Sequence, residues 1–419
     1  MQEDKMSYIE DLGARAKAAE YAIRNITTEQ KNEALIAIAE ILVANKGVII
    51  AENRKDLENA EKNGMTKAFI DRLTLTAERI EKISSDVLEI AQLADPIGEI
   101  LGGGQVRDGF NIVKKRVPLG VIGVIFESRP NVTVDAAALC MKSGNVCILR
   151  GGSDAINSNK CLVLFMRRAL ENIGISNDCI LLVEDTSREV AGEMMKLNEY
   201  IDVLIPRGGS GLIKSVVENS TVPVIQTGEG NCHLYVDEIA DIGMAVSIAD
   251  NAKTQRPSVC NSIETLLVHK NAAPETLKEL YAVWNGRVAI YGDKATADII
   301  PVERIATEED FYTEFNDYII AVKVVDNVEE AIAHVNKYGT RHSECIITQN
   351  YEHARKFQQE VDAAAVYVNA STRFSDGNVF GLGAEIGISN QKLHARGPLG
   401  LRELTSYKYL IYGSGQIRT

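Results

Sequence analysis

The segment Lys253-Thr254-Gln255-Arg256-Pro257-Ser258-Val259-Cys260-Asn261-Ser262 puts a thiol where it can do chemistry. A polar stretch broken by Pro257 leads up to Cys260, and an apolar, β-prone run, Ile263 to Val268, follows it. A thiol in such a loop is held by a rigid strand yet open to a substrate, which a nucleophile needs. The alternative is a small buried hydrophobe, the usual fate of a free cysteine. Two glycine-rich turns could cradle phosphate. Pro206-Arg207-Gly208-Gly209-Ser210-Gly211 follows one expected strand and opens a helix; Arg150-Gly151-Gly152-Ser153 ends another. Glycines let backbone N–H groups approach an anion, and a helix N-terminus adds partial positive charge. Neither turn has the full G-x-G-x-x-G form, so an ordinary tight turn is the competing reading.

The chain has seven cysteines, an odd number, and no C-x-x-C pair; its six histidines are dispersed, without an H-E-x-x-H. That pattern predicts reduced cytoplasmic thiols and no zinc site or other metal centre.

The elements that must position these residues follow from periodicity. Residues 7 to 95 predict helices. Thr27-Thr28-Glu29-Gln30 has the form of a capping box, with Leu35, Ile38, Ala39 and Leu42 at helical spacing behind it. Thr76 is a second cap, with Ile80, Ile83, Val87 and Ile90 on one face. Residues 105–117 predict a hairpin about Asp108-Gly109. From 119 strands and helices alternate: strands at 119–126, 146–150, 180–183, 203–206 and 223–225, helices at 135–142, 160–172 and 188–197. Continuous apolar strands alternating with helices mean a parallel sheet covered on both faces, a doubly wound nucleotide-binding unit. A second α/β segment spans about 233 to 367, with strands at 263–268, 319–325 and 345–348 and helices at 329–336 and 351–360. A glycine-rich, polar tail after 369 ends in a strand at 405–412.

Composition fits a globular enzyme of two or three domains: 419 residues, 45% hydrophobic and 25% charged. The net charge of −13 is scattered, which argues against nucleic acid as a partner. The charged start, Met1 to Met6, lacks an apolar signal core, and no run approaches a membrane span, so a cytoplasmic protein without a membrane partner is expected.

With the order of parts in view, the chain resembles the aldehyde dehydrogenase superfamily. Pro118-Leu119-Gly120-Val121-Ile122-Gly123 starts the first sheet strand, Ser143-Gly144-Asn145-Val146 precedes the next, and Cys260 and Phe380-Gly381 follow. Within it the γ-glutamyl phosphate reductases match best, through Phe126-Glu127-Ser128-Arg129-Pro130-Asn131-Val132-Thr133, Thr254–Thr265, and Phe380–Glu385 continuing to Gln391–Pro398.

The resemblance implies an aldehyde-dehydrogenase-like α/β fold with three parts. A Rossmann-type cofactor domain would take 1–104 and 118–231, and a second α/β domain, 232–368, would carry Cys260. A small β oligomerisation element would come from 105–117 and 405–419, with 369–404 returning to the cofactor domain. It implies attack by Cys260 on L-glutamyl 5-phosphate, a thioester, and NADPH as reductant. Asn131 and the backbone N–H of Cys260 or Asn261 would bind the oxyanion, although Asn131 also reads as a turn or cap residue. NADP(H) would be held by Arg150 and Ser153 at the 2′-phosphate, by the turn Arg207, Gly208, Gly209 and Ser210, and by Glu314 at the nicotinamide ribose. Arg256, Ser371, Thr372 and Arg373 would meet the amino-acid end of the substrate. Gln226 falls where hydrolytic relatives carry a base, with Glu229 three residues on. A homo-oligomer is implied, and functional coupling to glutamate 5-kinase is raised but left open. A CoA-acylating or hydrolytic member of the superfamily, or a non-catalytic scaffold, are the rival readings.

Overall fold

The computed structural model describes residues 6–418; the charged start before Met6 lies outside them. The described part forms two compact units. Among the described residues, the first takes in 6–226, Gly381–Gly387 and 399–418, and the second Thr227–Phe380 and Ile388–Pro398. The tail after 369 is therefore shared between the units segment by segment, not returned whole to the first.

The first unit begins with five helices. Thr27 and Gln30 make the capping box the sequence predicts, and the Thr76 hydroxyl accepts from the Arg79 N–H. Ile80, Ile83, Val87 and Ile90 are buried on the inner face of Ala77–Gln92. A hairpin follows: β1 (Ile100–Gln105) pairs antiparallel with β2 (Asn111–Pro118), and the C-terminal strand Thr405–Tyr412 pairs with the other edge of β2. β1 starts five residues before the expected hairpin and takes in the glycine run 102–104. Propensity hides it, but a Cβ on Gly103 would sit 2.2 Å from the Ile112 oxygen.

The sheet of the doubly wound part holds β3 (Val121–Phe126), β4 (Val146–Arg150), β5 (Ile180–Leu182) and β6 (Val203–Arg207), all parallel. The order is β5-β4-β3-β6. Residues 223–225 make only an isolated bridge to Leu204, not the strand expected. In this order the first strand lies between the second and the fourth, so the chain reverses its winding between β3 and β6. Open α/β sheets bind ligands in the crevice at the carboxyl ends of such a pair.

The second unit has a seven-stranded parallel sheet: β7 (Cys232–Val236), β8 (Ile263–His269), β9 (Ala289–Gly292), β10 (Arg304–Ile305), β11 (Ile319–Val325), β12 (Ser343–Ile347) and β13 (Ala365–Val368). The order is β10-β9-β11-β8-β7-β12-β13. β8 and β7 are central and fully buried, although they carry the polar residues His233, Glu264, Thr265 and His269. A short ribbon, β14 (Ile388–Ser389) with β15 (Gly397–Pro398), completes the unit. Among the described residues no single helix is long and apolar enough to cross a membrane.

Candidate active site

Cys260 lies in the turn between the helix Ile242–Thr254 and β8. It is half-buried, whereas the other six cysteines are buried. Burial pushes the Cys161 thiol up to about 11 and the Cys179 and Cys345 thiols up to about 12. A thiol so raised supplies almost no thiolate near neutral pH. Exposure therefore singles out the cysteine that the sequence pattern singles out.

The turn is clamped at both ends. Ser262 Oγ donates to the Ala252 carbonyl at 3.0 Å, and Ser262 N–H to the Val259 carbonyl at 2.9 Å. Lys253, fully buried, reaches the Ile263 carbonyl at 3.0 Å and Glu264 Oε2 at 2.6 Å. Burial raises the Glu264 pKa and lowers that of Lys253, while each partner's charge pulls the other back toward the ionised form. Removing one member of such a pair strands the other charge in the core. Glu264→Gln is expected to cost about 3–5 kcal/mol in denaturant unfolding of the second unit. A loss below about 1 kcal/mol would mean that Lys253 finds water.

Gly230 borders the same turn. A Cβ there would lie 1.5 Å from the Cys260 oxygen and 2.4 Å from its Cα, so glycine is a steric requirement. Glu314 Oε1 accepts the Gly230 N–H at 2.9 Å. One oxygen of the residue expected at the nicotinamide ribose thus holds this turn. Burial raises the pKa of the neighbouring Glu229, and the charge of Glu314 adds to the effect.

The segment 371–375 packs on the nucleophile turn, and its residues divide. Thr372 is fully buried and its hydroxyl donates to the Asn261 carbonyl at 2.7 Å. Ser371 is buried and its hydroxyl accepts the Arg373 N–H at 3.3 Å. The Thr372 hydroxyl is spent on backbone and the Ser371 oxygen accepts from backbone, so both help to position the turn. Asn261 donates its side-chain amide to the Ser375 carbonyl at 2.9 Å, which leaves its backbone as the part suited to an oxyanion. Arg373 is half-buried, with Nε donating to Gln255 Oε1 at 2.9 Å. Burial lowers its pKa, and the like charge of exposed Arg256 lowers it further, whereas Cys260 raises it. Two guanidinium groups that repel each other beside a thiol suit a substrate with anionic groups.

In the first unit, Ile125 pairs with Arg150 and Phe126 with Arg207, so both arginines stand at the carboxyl edge on either side of β3. Arg150 Nη2 donates to the Thr186 and Ser187 carbonyls at 2.6 and 3.3 Å, and its Nε is buried without a partner. Burial lowers the Arg150 pKa. Ser153 is exposed at the start of the short helix beyond it. A charged group at the rim of this crevice with an orphaned donor fits a phosphorylated nucleotide.

The second glycine-rich turn is partly occupied by a residue that sequence reasoning did not assign. Glu127 Oε2 accepts the Gly209 N–H at 2.8 Å, at the start of the helix Ser210–Asn219, and a Cβ on Gly208 would meet that carboxylate at 2.6 Å. Gly209 N–H is therefore not open to a phosphate unless Glu127 moves; Arg207 and Ser210 remain at the rim. Only the acidic residue directly after an expected strand could have signalled this. Asn131, in the first turn of Pro130–Lys142, donates Nδ2 to Asp135 Oδ2 at 2.9 Å. Burial pushes Asp135 up to about 7.

The chain is similar to known proteins over nearly its whole length. The model of the aldehyde dehydrogenase family matches residues 1–299 and 304–408. A γ-glutamyl phosphate reductase of Clostridium botulinum (strain Eklund 17B / Type B) is 56% identical over 407 residues, 97% of this chain and 98% of the relative. One from Carboxydothermus hydrogenoformans is 56% identical over 414 residues, 99% and 100% of the two chains. The crystal structure of γ-glutamyl phosphate reductase from Thermotoga maritima superimposes with a TM-score of 0.96 at 48% identity, covering 99% of this chain and 100% of that one. The chain belongs to the aldehyde dehydrogenase family and, within it, to the γ-glutamyl phosphate reductases.

Proposed function

We propose that this protein reduces L-glutamyl 5-phosphate to L-glutamate 5-semialdehyde and phosphate, with NADPH as reductant, the second step from glutamate to proline. The observation that carries the reading is a single half-exposed thiol, Cys260, in a clamped turn with Arg256 and Arg373 beside it. Family membership brings a nicotinamide cofactor.

The Cys260 thiolate attacks the acyl carbon, and the acyl C–O bond to the phosphate group breaks, leaving a thioester and free phosphate. A thiol suits both roles, since it attacks near neutral pH and later leaves readily. Arg373 and Arg256 hold the anionic ends of the substrate. The backbone of the Cys260–Asn261 turn donates to the oxyanion. The cofactor, when bound, supplies the hydride that takes the acyl group to the aldehyde level. Arg150, Ser153, Arg207 and Ser210 would hold its phosphates. Cleavage of the C–S bond then frees the semialdehyde and the thiolate.

The test is the reverse reaction. Glutamate 5-semialdehyde should reduce NADP only when inorganic phosphate is present; reduction with coenzyme A in its place, or with neither, would overturn the reading.

Preference for NADPH over NADH rests on Arg150 with Ser153, since a guanidinium and a hydroxyl bind a 2′-phosphate. Arg150→Glu is expected to weaken NADP(H) binding by about 10–100-fold, the worth of one or two charge-assisted hydrogen bonds, and NAD(H) binding far less. Equal losses in titrations of the two cofactors would place the 2′-phosphate elsewhere.

The strand Thr405–Tyr412 exposes Tyr407, Tyr409, Ile411 and Tyr412 on an edge of its three-stranded sheet. Exposed aromatic edges are covered in working proteins, and a second copy of the chain is the proposed cover. Deleting 405–419 should give a monomer or an aggregate; native size in sedimentation would refute it.

A further inference from the structure

The thiol of Cys232, the first residue of β7, donates to the Cys260 carbonyl at 3.1 Å. Cys232 is fully buried, and burial, with the charges of Glu344 and Cys260, raises its pKa well above the ordinary thiol value. It therefore keeps the proton that this bond requires. The bond has a consequence for the next peptide group. The chain has no cis peptide bond among its described residues, so the Asn261 N–H points opposite to the Cys260 C=O. With the carbonyl drawn onto Cys232, through the space that the missing side chain of Gly230 leaves, the Asn261 N–H points away from Cys232. The following peptide is pinned as well, because the Asn261 carbonyl accepts from Thr372.

We propose that Cys232 is a positioning residue that fixes the Cys260–Asn261 peptide so that the Asn261 N–H is aimed at the oxyanion of the substrate attached to Cys260. The proposal rests on Cys260 being the nucleophile. Behind Cys232 a buried polar chain holds the sulfur in place. His342 Nδ1 lies 3.8 Å from Cys232 Sγ and 2.8 Å from Ser343 Oγ. Ser343 Oγ is 2.5 Å from Ser375 Oγ, which is 2.7 Å from the Tyr367 hydroxyl. Ser375 returns to the turn by accepting, through its carbonyl, the Asn261 side-chain amide. The network forms a closed brace around the nucleophile peptide.

The experiment separates oxyanion binding from thiol exposure. Alkylation of Cys260 by iodoacetamide passes through no oxyanion, whereas turnover passes through two. Cys232→Ala should lower kcat by about 10–100-fold, part of the ~10²–10³ that a whole oxyanion donor is worth. KM for the semialdehyde should stay near wild type and the Cys260 alkylation rate within about threefold. Cys232→Ser keeps a donor and should restore most of kcat. Cys232→Val repeats the test with the volume filled, should the alanine variant be unstable. Wild-type kcat in Cys232→Ala or Cys232→Val, failure of serine to restore it, or a parallel fall in alkylation would each overturn the proposal. Cys260→Ala, measured alongside, distinguishes this from failure of the underlying reading: an active Cys260→Ala protein removes the nucleophile itself.

Discussion

Cys260→Ala abolishes turnover in both directions and leaves cofactor affinity within about twofold of wild type. Removing a covalent nucleophile costs on the order of 10⁶ in kcat where it has been measured, because no neighbouring group takes over bond formation to carbon. The other six thiols are buried and cannot substitute. The cofactor groups assigned here are chiefly in the first unit, whereas Cys260 is in the second, so binding and chemistry should separate cleanly. Fluorescence titration with NADPH, beside steady-state assays of the semialdehyde with phosphate, provides the check. Residual activity above a trace in folded protein would dismiss the thioester.

Gly230→Ala is the second large effect, and it comes from sterics alone. The new methyl carbon would fall 1.5 Å from the Cys260 oxygen and 2.2 Å from its carbonyl carbon. Ordinary van der Waals separation is about 3.5 Å, so the nucleophile turn or the Gly228–Gly230 turn must shift by well over an ångström. A displacement near 1 Å at reacting groups costs about 10²-fold in rate, and kcat should fall by at least that. Overpacking typically adds about 1–3 kcal/mol of destabilisation. Gly192→Ala is the control: a Cβ there meets nothing within 4 Å and the residue lies inside the helix Arg188–Met194. Alanine should be neutral or slightly stabilising there. If Gly230→Ala retains more than a tenth of wild-type kcat while folded, the turn is more pliant than its contacts imply.

Much of this molecule is written in local sequence. Thr27 with Gln30 and the hydroxyl of Thr76 cap their helices as the spacing predicts, because a cap is made by residues three apart. The run Thr405–Tyr412 is the strand it reads as, and Ile319–Val325 likewise. The place of Cys260, in a turn before a buried strand, was legible because an approach broken by proline and a β-prone run are both local signals. Local reading was weaker where glycine or brevity blurs periodicity. The glycines of β1 mask a strand, and β7, β9 and β13, of four or five residues each, left no pattern that stood out from their surroundings.

What tertiary structure added are contacts between residues far apart in the chain. The strand order β5-β4-β3-β6 brings Glu127 to Gly209, 82 residues away, and turns an expected phosphate cradle into one already holding a carboxylate. Cys232 reaches the Cys260 carbonyl across 28 residues because β7 and β8 are neighbours in the sheet. Thr372 and Ser371 looked like substrate groups in a polar segment, and burial turned their hydroxyls onto backbone. Periodicity and capping report whether a residue is buried or ends an element; they carry no record of which strand lies beside which. That choice is made by packing apolar faces over the whole domain, and here it sets the partners of Cys260 and the walls of the crevice beside β3 and β6.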